Sequence, residues 1–426
     1  MSTEHHDALE TREPALREAA LMAALPAQLR AALAVPALAE RLAGIVPEAV
    51  SSREALARLP VTRKHELLER QQAQRASDVF GGFSAIGWRA QRAPRPARRV
   101  YQSPGPIYEP EGHAVDYWRM ARAMFAAGLR AGDLVHNSFS YHLTPGAWIM
   151  ESGAHALGCT VFPGGVGNTE LQLQAMAELR PDAYVGTPSF LRIVLEKAAE
   201  SGVALPSLKK ALVSGEAFPP SLRDWLQERG VAAYQAYATA DVGVIAYETA
   251  AREGLVVDEG VIVEIVRPGT GDPVPEPRAG QAPEVGEVVV TVLNADYPLV
   301  RFGTGDLSAV LPGRCPTGRT NTRIRGWMGR ADQTAKVRGM FVHPGQVAEV
   351  ARRHPEIGRV RLVVEGEMAN DRMTLRVECA SQVEGLRDAV AQTLRDVTKL
   401  RSEVVLCAPG ALPNDGKVIE DARRYD

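Results

Sequence analysis

The spacing of apolar residues divides the first 230 residues into three kinds of segment. Up to about residue 75, apolar residues recur at helical spacing, as in LREAALMAALPAQLRAAL, which predicts helices. Residues 88–110 are rich in Arg and Pro and predict an irregular stretch. From Asp116 onward short β-branched runs alternate with helical patterns, including a helix over DYWRMARAMFAAGL. This alternation predicts a mostly parallel sheet with helices on both faces.

The pattern changes twice in the second half of the chain. From about Val256 it becomes β-rich, and after Gly329 two strand patterns, a helix and a further strand follow each other. We therefore predict an α/β protein with two domains. A large N-terminal domain, residues 1–328, combines parallel sheets and helices with a small β-rich subdomain, and a small C-terminal α+β domain occupies residues 329–426.

Composition narrows the class of protein further. Of the 426 residues 45% are hydrophobic and 23% are charged, which is typical of a globular protein. The net charge is −2, so we expect no general attraction to nucleic acid or to an anionic membrane. No apolar run approaches the roughly 18 residues of a membrane span, and the polar start is unlike a secretory signal. The cysteines are scattered singly, which favours a cytoplasmic location.

Common cofactor and nucleophile motifs are absent from the sequence. No GxGxxG follows an early strand, and neither a Walker loop nor a GxSxG motif is present. The segment PGTGDP is typical of a hairpin loop. These absences argue against a dinucleotide-dependent oxidoreductase, a P-loop nucleotidase and an α/β-hydrolase.

Three motifs in fixed order carry the strongest signal. RFGTGDL begins at Arg301, and GRADQTAKVRG, which ends in KVRG, begins at Gly329. Together they resemble the second half of acyl-adenylate-forming enzymes, most closely the phenylacetate–CoA ligase family, whose version reads PLIRYRTGDL…GRSDDMIKVRG. The earlier LARLPVTRKHELLERQ is similar to the LPxTxKxxL element of that family. The resemblance extends over residues 59–426.

The resemblance implies an adenosine site. Tyr237, in AYQAYATADVG, is similar to the tyrosine of the family's YGxSE element, which packs flat on adenine. The segment SGEAF resembles the GAEPW loop, so Ser214, Gly215 and Glu216 are expected at the adenine edge. Asp306 is expected to accept hydrogen bonds from the two ribose hydroxyls.

For the C-terminal domain the resemblance implies a mobile role. Arg330 is expected near ribose or phosphate oxygens, and either Asp332 or Lys336 is the expected hinge. Gly339 matches the glycine over which a pantetheine arm passes. Lys417, in ALPNDGKVIED, is similar to the mobile catalytic lysine of the LPxxxGKxxRVID ending, which stabilises negative charge during adenylation.

The acyl site is expected from two further segments. NSFSYHLTPGAW and GGVGNTE resemble the family's SYGYGLFTGG and FGGGQTE, which brings Tyr141, His142 and Gly165 near the carboxylate substrate. Aromatic and small residues together suit an aryl or arylacetic acid. His142 replaces a smaller residue, so it either narrows the pocket and adds a donor or is a structural histidine.

The phosphate loop departs from the family. Its SSGTTGKPT is replaced by VYQSPGPIYEPEG, in which two prolines remove amide donors and Glu109 and Glu111 add negative charge. Asp241 stands in place of the family's glutamate, an expected catalytic group and Mg²⁺ ligand. The zinc-binding CPCG of some relatives reads CPTG at Cys315, which predicts no structural zinc.

Two classes of function remain open from the sequence. The first is an AMP-forming acid–thiol ligase that uses ATP and Mg²⁺ to activate an aryl or arylacetic acid and transfers it to CoA or to another acceptor. The second is a non-catalytic or altered nucleotide- or acyl-CoA-binding protein on the same fold, which the changed phosphate loop favours. In both, small molecules are the expected partners, with a possible homodimer.

Overall fold

A computed structural model describes residues 4–88, 96–268, 270–275, 283–328, 330–331, 335–338, 340–342, 344–366, 371–380, 385–413 and 417–423. The chain divides into two compact units, Met1–Gly329 and Arg330–Asp426, and each is described by itself.

Helices dominate the start of the first unit, as the apolar spacing predicts. In chain order the elements are α1 Pro14–Leu33, α2 Pro36–Arg41, α3 Arg53–Ala57, the short strand β1 Thr62–Arg63 and α4 Lys64–Gln74. Leu25, Leu29 and Leu38 are fully buried in a core shared with the β-rich part of the unit. Burial of this apolar face, more than helix propensity, stabilises such helices.

Part of the stretch predicted to be irregular is a β-hairpin. Strand β2 Arg99–Ser103 pairs antiparallel with β3 Ile107–Glu111, and Ser103 lies opposite Ile107. The prediction for residues 88–110 is therefore wrong in its second half. Tyr101 and Ser103 alternate with more exposed neighbours, which is a strand pattern that the surrounding Arg and Pro residues obscure. Residues 89–95 lie outside the described part.

A parallel βα region forms the centre of the first unit. Its elements are α5 Met120–Ala126, β4 Leu134–Asn137, α6 Gly146–Ala156, β5 Thr160–Pro163, α7 Thr169–Leu179, β6 Ala183–Gly186, α8 Pro188–Glu200, β7 Lys210–Val213, α9 Pro220–Glu228 and β8 Ala232–Thr239. The strands pair in parallel in the order β8-β7-β6-β4-β5. Helix α5 is shorter than predicted and begins only at Met120, after Arg119 in a left-handed conformation, and the Asp116 carboxylate accepts the amides of Met120 and Ala121.

The β-rich part completes the first unit. Its strands are β9 Gly243–Glu248, β10 Leu255–Val257, β11 Val261–Val266, β12 Gly286–Val292, β13 Phe302–Ser308, β14 Val310–Leu311 and β15 Arg323–Ile324. Within the described residues, β14-β15-β10-β9 extend the parallel sheet to nine strands, and β1-β13-β12-β11 form a four-stranded sheet. The Val- and Ile-rich strands are buried, as their composition predicts.

The second unit is a small α+β structure. Its elements are β16 Ala335–Val337, β17 Met340–Val342, α10 Pro344–Arg353, β18 Ile357–Glu365, β19 Arg372–Cys379, α11 Leu386–Thr398, β20 Glu403–Cys407 and β21 Ile419–Asp421. Four strands form a sheet in the order β20-β19-β18-β21, counted over the described residues. Val347, Val390 and Leu394 from the helices share its core with Leu362 and Leu375. The predicted fold class is confirmed. No helix in the described ranges has the length and apolar character to cross a membrane.

Candidate active site

The carboxyl ends of the parallel strands gather most of the residues predicted for the first unit. Tyr141 and Gly165 follow β4 and β5, Ser214 follows β7, and Tyr237 lies near the end of β8. Parallel strands end at the same edge of a sheet, and ligands bind there in open α/β folds. This edge is our candidate active site.

Tyr237 and Asp306 are in direct contact although they lie in different sheets. The Tyr237 hydroxyl is 2.9 Å from Asp306 Oδ2 and 3.1 Å from Thr304 Oγ1. Trp327 Nε1 donates to Asp306 Oδ1 at 3.1 Å, a contact that the sequence analysis missed. The only signal for Trp327 was its position just before the GRAD motif. The two residues predicted to hold adenine and ribose therefore form one hydrogen-bonded pair.

Two side-chain hydrogen bonds hold the SGEAF loop, one at Ser214 and one at Glu216. Ser214 Oγ donates to the carbonyl of Ala236, next to Tyr237, at 2.7 Å. Ser189 Oγ donates to Glu216 Oε2 at 2.5 Å. Gly215 adopts a φ of +82°, a conformation that favours glycine. The loop thus presents backbone beside Tyr237, and its predicted role at adenine stays a prediction.

Asp241 forms an ion pair with a lysine that the sequence analysis did not single out. Lys64 Nζ lies 2.8 Å from Asp241 Oδ2, and the Asp241 side chain is only 1% exposed. Its other oxygen, Oδ1, has no hydrogen-bond partner among the described residues. Lys64 belongs to the LPVTRKHELL segment that resembles the family element, which was the available signal.

The hairpin at the position of the phosphate loop uses two of its hydroxyl groups for internal hydrogen bonds. The Ser103 hydroxyl donates to Glu109, and the Tyr101 hydroxyl donates to Glu111 Oε2 at 2.5 Å. Arg99 also pairs with Glu111 at 3.0 Å. Burial, reinforced by the charge of Asp241, raises the pKa of Glu109 to about 8.

This chemistry corrects one expectation from the sequence. Glu109 and Glu111 were expected to bring two negative charges to the phosphates, but burial favours the neutral form of Glu109, and Glu111 forms an ion pair with Arg99. Since the two hydroxyls donate inside the hairpin, they do not offer the outward donors of a phosphate loop.

Asn137 links the two segments predicted for the acyl site. Its side-chain Nδ2 donates to the Tyr141 hydroxyl at 2.9 Å, and its main-chain carbonyl accepts the Gly165 amide at 3.0 Å. The Tyr141 hydroxyl donates to Glu151 Oε2 at 2.8 Å, and the ring lies edge-on to Trp148 at 5.1 Å. Burial raises the pKa of Tyr141, so its hydroxyl keeps its proton.

His142 is exposed, whereas the preceding Tyr141 is partly buried. Its amide donates to Ser140 Oγ at 3.1 Å, which fixes the backbone of this turn.

Deeper in the sheet, Ser138 Oγ and the Tyr184 hydroxyl are 2.5 Å apart. A Cβ on Gly186 would lie 2.1 Å from Ser138 Oγ, so this strand end needs glycine.

The residues predicted for the second unit have separate outcomes. Arg330 is half-buried, Lys336 lies in β16, and Lys417 is exposed just before β21. Asp332 and Gly339 lie outside the described residues.

In the described part of the chain no three His, Cys, Asp or Glu residues group as a metal site. Cys315 Sγ lies 3.4 Å from Thr249 Oγ1 and 3.1 Å from Thr317 Oγ1.

Known proteins are similar to this chain in sequence. Residues 117–292 match the family model described as AMP-binding enzyme. The chain is 30% identical to the phenylacetate–coenzyme A ligase of Thermus thermophilus over 410 residues, which cover 87% of each protein. It is also 30% identical to the enzyme of the same name from Pseudomonas putida, with 90% of this chain and 88% of that protein covered.

A solved structure extends the similarity to the fold. The chain superposes on a 2-hydroxyisobutyryl-CoA ligase bound to 2-HIB-AMP and CoA with a TM-score of 0.80 and 25% identity. The match covers 98% of this chain and 92% of that one. An amide bond synthetase from Marinactinospora thermotolerans shares the fold at a TM-score of 0.55 and 17% identity.

Fold and relatives together define an adenylate-forming enzyme. The chain belongs to the phenylacetate–CoA ligase family, and by class it is an AMP-forming acid–thiol ligase. The resemblance from the TGD, GRAD and KVRG motifs is thereby confirmed. The individual site residues stay predictions.

Proposed function

We propose that this ligase uses ATP to convert an aryl or arylacetic acid into an acyl-adenylate and then transfers the acyl group to CoA. The hydrogen-bonded pair of Tyr237 and Asp306 at the carboxyl edge of the sheet carries this proposal. Tyr237 offers an aromatic face on which adenine can stack, and Asp306 offers a buried carboxylate that can accept hydrogen bonds from the two ribose hydroxyls. The alternative, a binding protein without catalysis, rests on the changed hairpin alone.

In the proposed site each residue has a distinct part. Tyr237 packs against adenine, the SGEAF backbone borders the edge of the base, and Asp306 accepts the ribose hydroxyls. Asp306 accepts bonds from Tyr237 and Trp327, and a carboxylate oxygen can accept more than one hydrogen bond. Arg330 binds ribose or phosphate oxygens.

Mg²⁺ is the proposed metal, held by the nucleotide phosphates and one protein carboxylate. Asp241 suits this role because its Oδ1 is buried without a hydrogen-bond partner among the described residues. Mg²⁺ bound through phosphates and one carboxylate is common in enzymes that use ATP. When bound, the ion offsets phosphate charge. Lys64, 2.8 Å from Asp241 Oδ2, adds a second positive charge beside this carboxylate.

The acyl-site residues support a ring-shaped substrate. Tyr141 and Trp148 present an edge-to-face aromatic pair, and Gly165 contributes a residue without a side chain. Aromatic walls with small residues between them fit a planar ring better than a flexible chain. His142, exposed on the adjoining turn, is proposed to border the entrance to this pocket.

The two half-reactions are proposed to use two poses of the second unit. Lys417 stabilises the negative charge that develops during adenylation, and a hinge at Asp332 or Lys336 then brings Gly339 to the pantetheine arm. One active site can thereby perform both steps. A homodimer and a cytoplasmic location also stay proposals, and size-exclusion chromatography with light scattering tests the first.

A substrate panel tests the reaction. Pyrophosphate release and thioester formation are measured with benzoate, phenylacetate, hydroxylated derivatives of both, and 2-hydroxyisobutyrate. We expect ATP-dependent turnover with an aromatic acid and CoA. Pyrophosphate release without thioester would identify a different acceptor, whereas AMP binding without adenylation of any acid would favour the binding protein.

A further inference from the structure

Two described parts of the C-terminal tail, residues 410–413 and 417–418, are held on the sheet of the second unit, and buried charged side chains supply several of the bonds. Arg361, in β18, has a side chain only 7% exposed. Its Nη2 donates to the carbonyl of Pro413 and its Nε to the carbonyl of Lys417, both at 3.2 Å. One guanidinium thus contacts the backbone at two residues four positions apart.

A second group on the neighbouring strand holds the same segment. Glu378, in β19, accepts the Leu412 amide at 2.8 Å, and the amides of Leu412 and Gly410 lower the pKa of its carboxyl. On the other side of Lys417, the Leu362 amide donates to the Val418 carbonyl at 2.9 Å. The main chain is therefore bonded to the sheet at Leu412 and Pro413 and again at Lys417 and Val418, while the Lys417 side chain is exposed.

Arg361 is a charged side chain buried in a small sheet, where an apolar residue would be expected. Burial of a guanidinium costs free energy unless its donors are satisfied. Two of the hydrogen bonds that Arg361 donates go to main-chain carbonyls of the tail, and its Nη1 lies 3.4 Å from the half-exposed Glu420. Arg361 therefore ties the tail to strand β18.

We propose that Arg361 is a positioning residue for adenylation, which holds the main chain of Lys417 so that its side chain reaches the reacting phosphate. The inference rests on the proposed role of Lys417. It follows from geometry, because the charge of a lysine on a flexible four-carbon stem can be aimed only if the base of the stem is held. A displacement of about 1 Å at such a group can cost about 100-fold in rate.

The test uses five variants and two half-reactions. The variants are Lys417→Ala, Arg361→Met, Arg361→Lys, the double variant Arg361→Met/Lys417→Ala, and Arg376→Met as the matched control. Arg376 lies directly opposite Arg361 in the strand pair but is exposed. Adenylation is followed as pyrophosphate release from ATP and phenylacetate, and thioester formation is followed from presynthesised phenylacetyl-adenylate and CoA. Thermal unfolding checks the fold of each variant.

If Arg361 acts through Lys417, the variants differ in a defined way. Lys417→Ala should lower adenylation at least about 100-fold. Arg361→Met should lower it about 10- to 100-fold, the scale for losing charged hydrogen bonds, with thioester formation within about twofold of wild type. Arg361→Lys should recover part of the loss, and Arg376→Met should stay within about twofold of wild type. The double variant should be no slower than Lys417→Ala by more than about twofold.

Other outcomes overturn the inference. If Lys417→Ala is impaired while a folded Arg361→Met adenylates like wild type, Arg361 has no positioning role. An equal loss in both half-reactions, or a full additional loss in the double variant, would show a general structural role. Normal adenylation by Lys417→Ala would remove the proposed role of Lys417 and the inference with it. If Arg361→Met does not fold, the same comparisons are made with Arg361→Lys.

Discussion

Substitution of Asp306 is the most direct test of the nucleotide site. Asp306→Ala removes the carboxylate that accepts bonds from Tyr237 and Trp327 and, in the proposed site, from the ribose hydroxyls. The cost to the fold should be small. Tyr237 keeps Thr304 Oγ1 as a second acceptor at 3.1 Å, and Trp327 is 37% exposed, so water can satisfy its indole. We expect a change of about 1 kcal/mol in the free energy of unfolding.

The effect on the nucleotide should be much larger. Hydrogen bonds to a charged group contribute about 1.5–3 kcal/mol, which corresponds to a loss of about 10- to 150-fold in affinity. Isothermal titration of AMP into wild type and Asp306→Ala measures this directly. Tyr237→Phe is the matched control, since it removes the hydroxyl that contacts Asp306 and keeps the ring. It should weaken AMP by less than about fivefold.

Unchanged AMP affinity in a folded Asp306→Ala protein would refute the reasoning. An equal loss in Tyr237→Phe and Asp306→Ala would show that the hydrogen bond between them, rather than a ribose contact, decides affinity. Asp306→Asn distinguishes charge from shape, and we expect its affinity for AMP to lie between those of wild type and Asp306→Ala.

Three further predictions concern the hairpin and its neighbours. AMP should bind at least as tightly as ATP because the hairpin hydroxyls donate internally; much tighter ATP binding with protection of residues 100–112 from hydrogen exchange would contradict this. Glu109 has a pKa of about 8 in the folded chain against 4.5 when exposed, so the free energy of unfolding should fall as the pH rises between these values. Glu109→Gln should remove this fall, at most about 1.4 kcal/mol per pH unit, and equal slopes for the two proteins in urea unfolding from pH 5 to 8 would refute it. Lys64→Met leaves the Asp241 charge buried and should lower the free energy of unfolding by about 2 kcal/mol, less than for a fully buried pair because Lys64 is 35% exposed. Adding Asp241→Asn should recover most of that loss, and an unchanged loss in the double variant would show that Lys64 stabilises the fold by other contacts.

Local sequence determined the elements and the family. Apolar spacing predicts the N-terminal helices, the βα alternation and the buried β-rich strands. Helices and strands place their buried side chains at different intervals along the chain, so a short stretch of sequence is enough to tell them apart. The TGD, GRAD and KVRG motifs lie within 40 residues of each other, so their order could be seen without a fold. The β2–β3 hairpin was missed because its strands have only five residues each, and burial alternates along β2 but not along β3.

Tertiary structure decided which groups meet and which charges they carry. Tyr237 and Asp306 are 69 positions apart and belong to different sheets, so only the packing of those sheets brings them together. Lys64 and Asp241 are 177 positions apart, and no local pattern indicates their ion pair. From the sequence Glu109 is expected to carry a negative charge, yet burial and the charge of Asp241 raise the pKa of its carboxyl and favour the neutral form. Contact between distant residues and the polarity around a side chain depend on the whole fold, which is why the sequence alone did not reveal them.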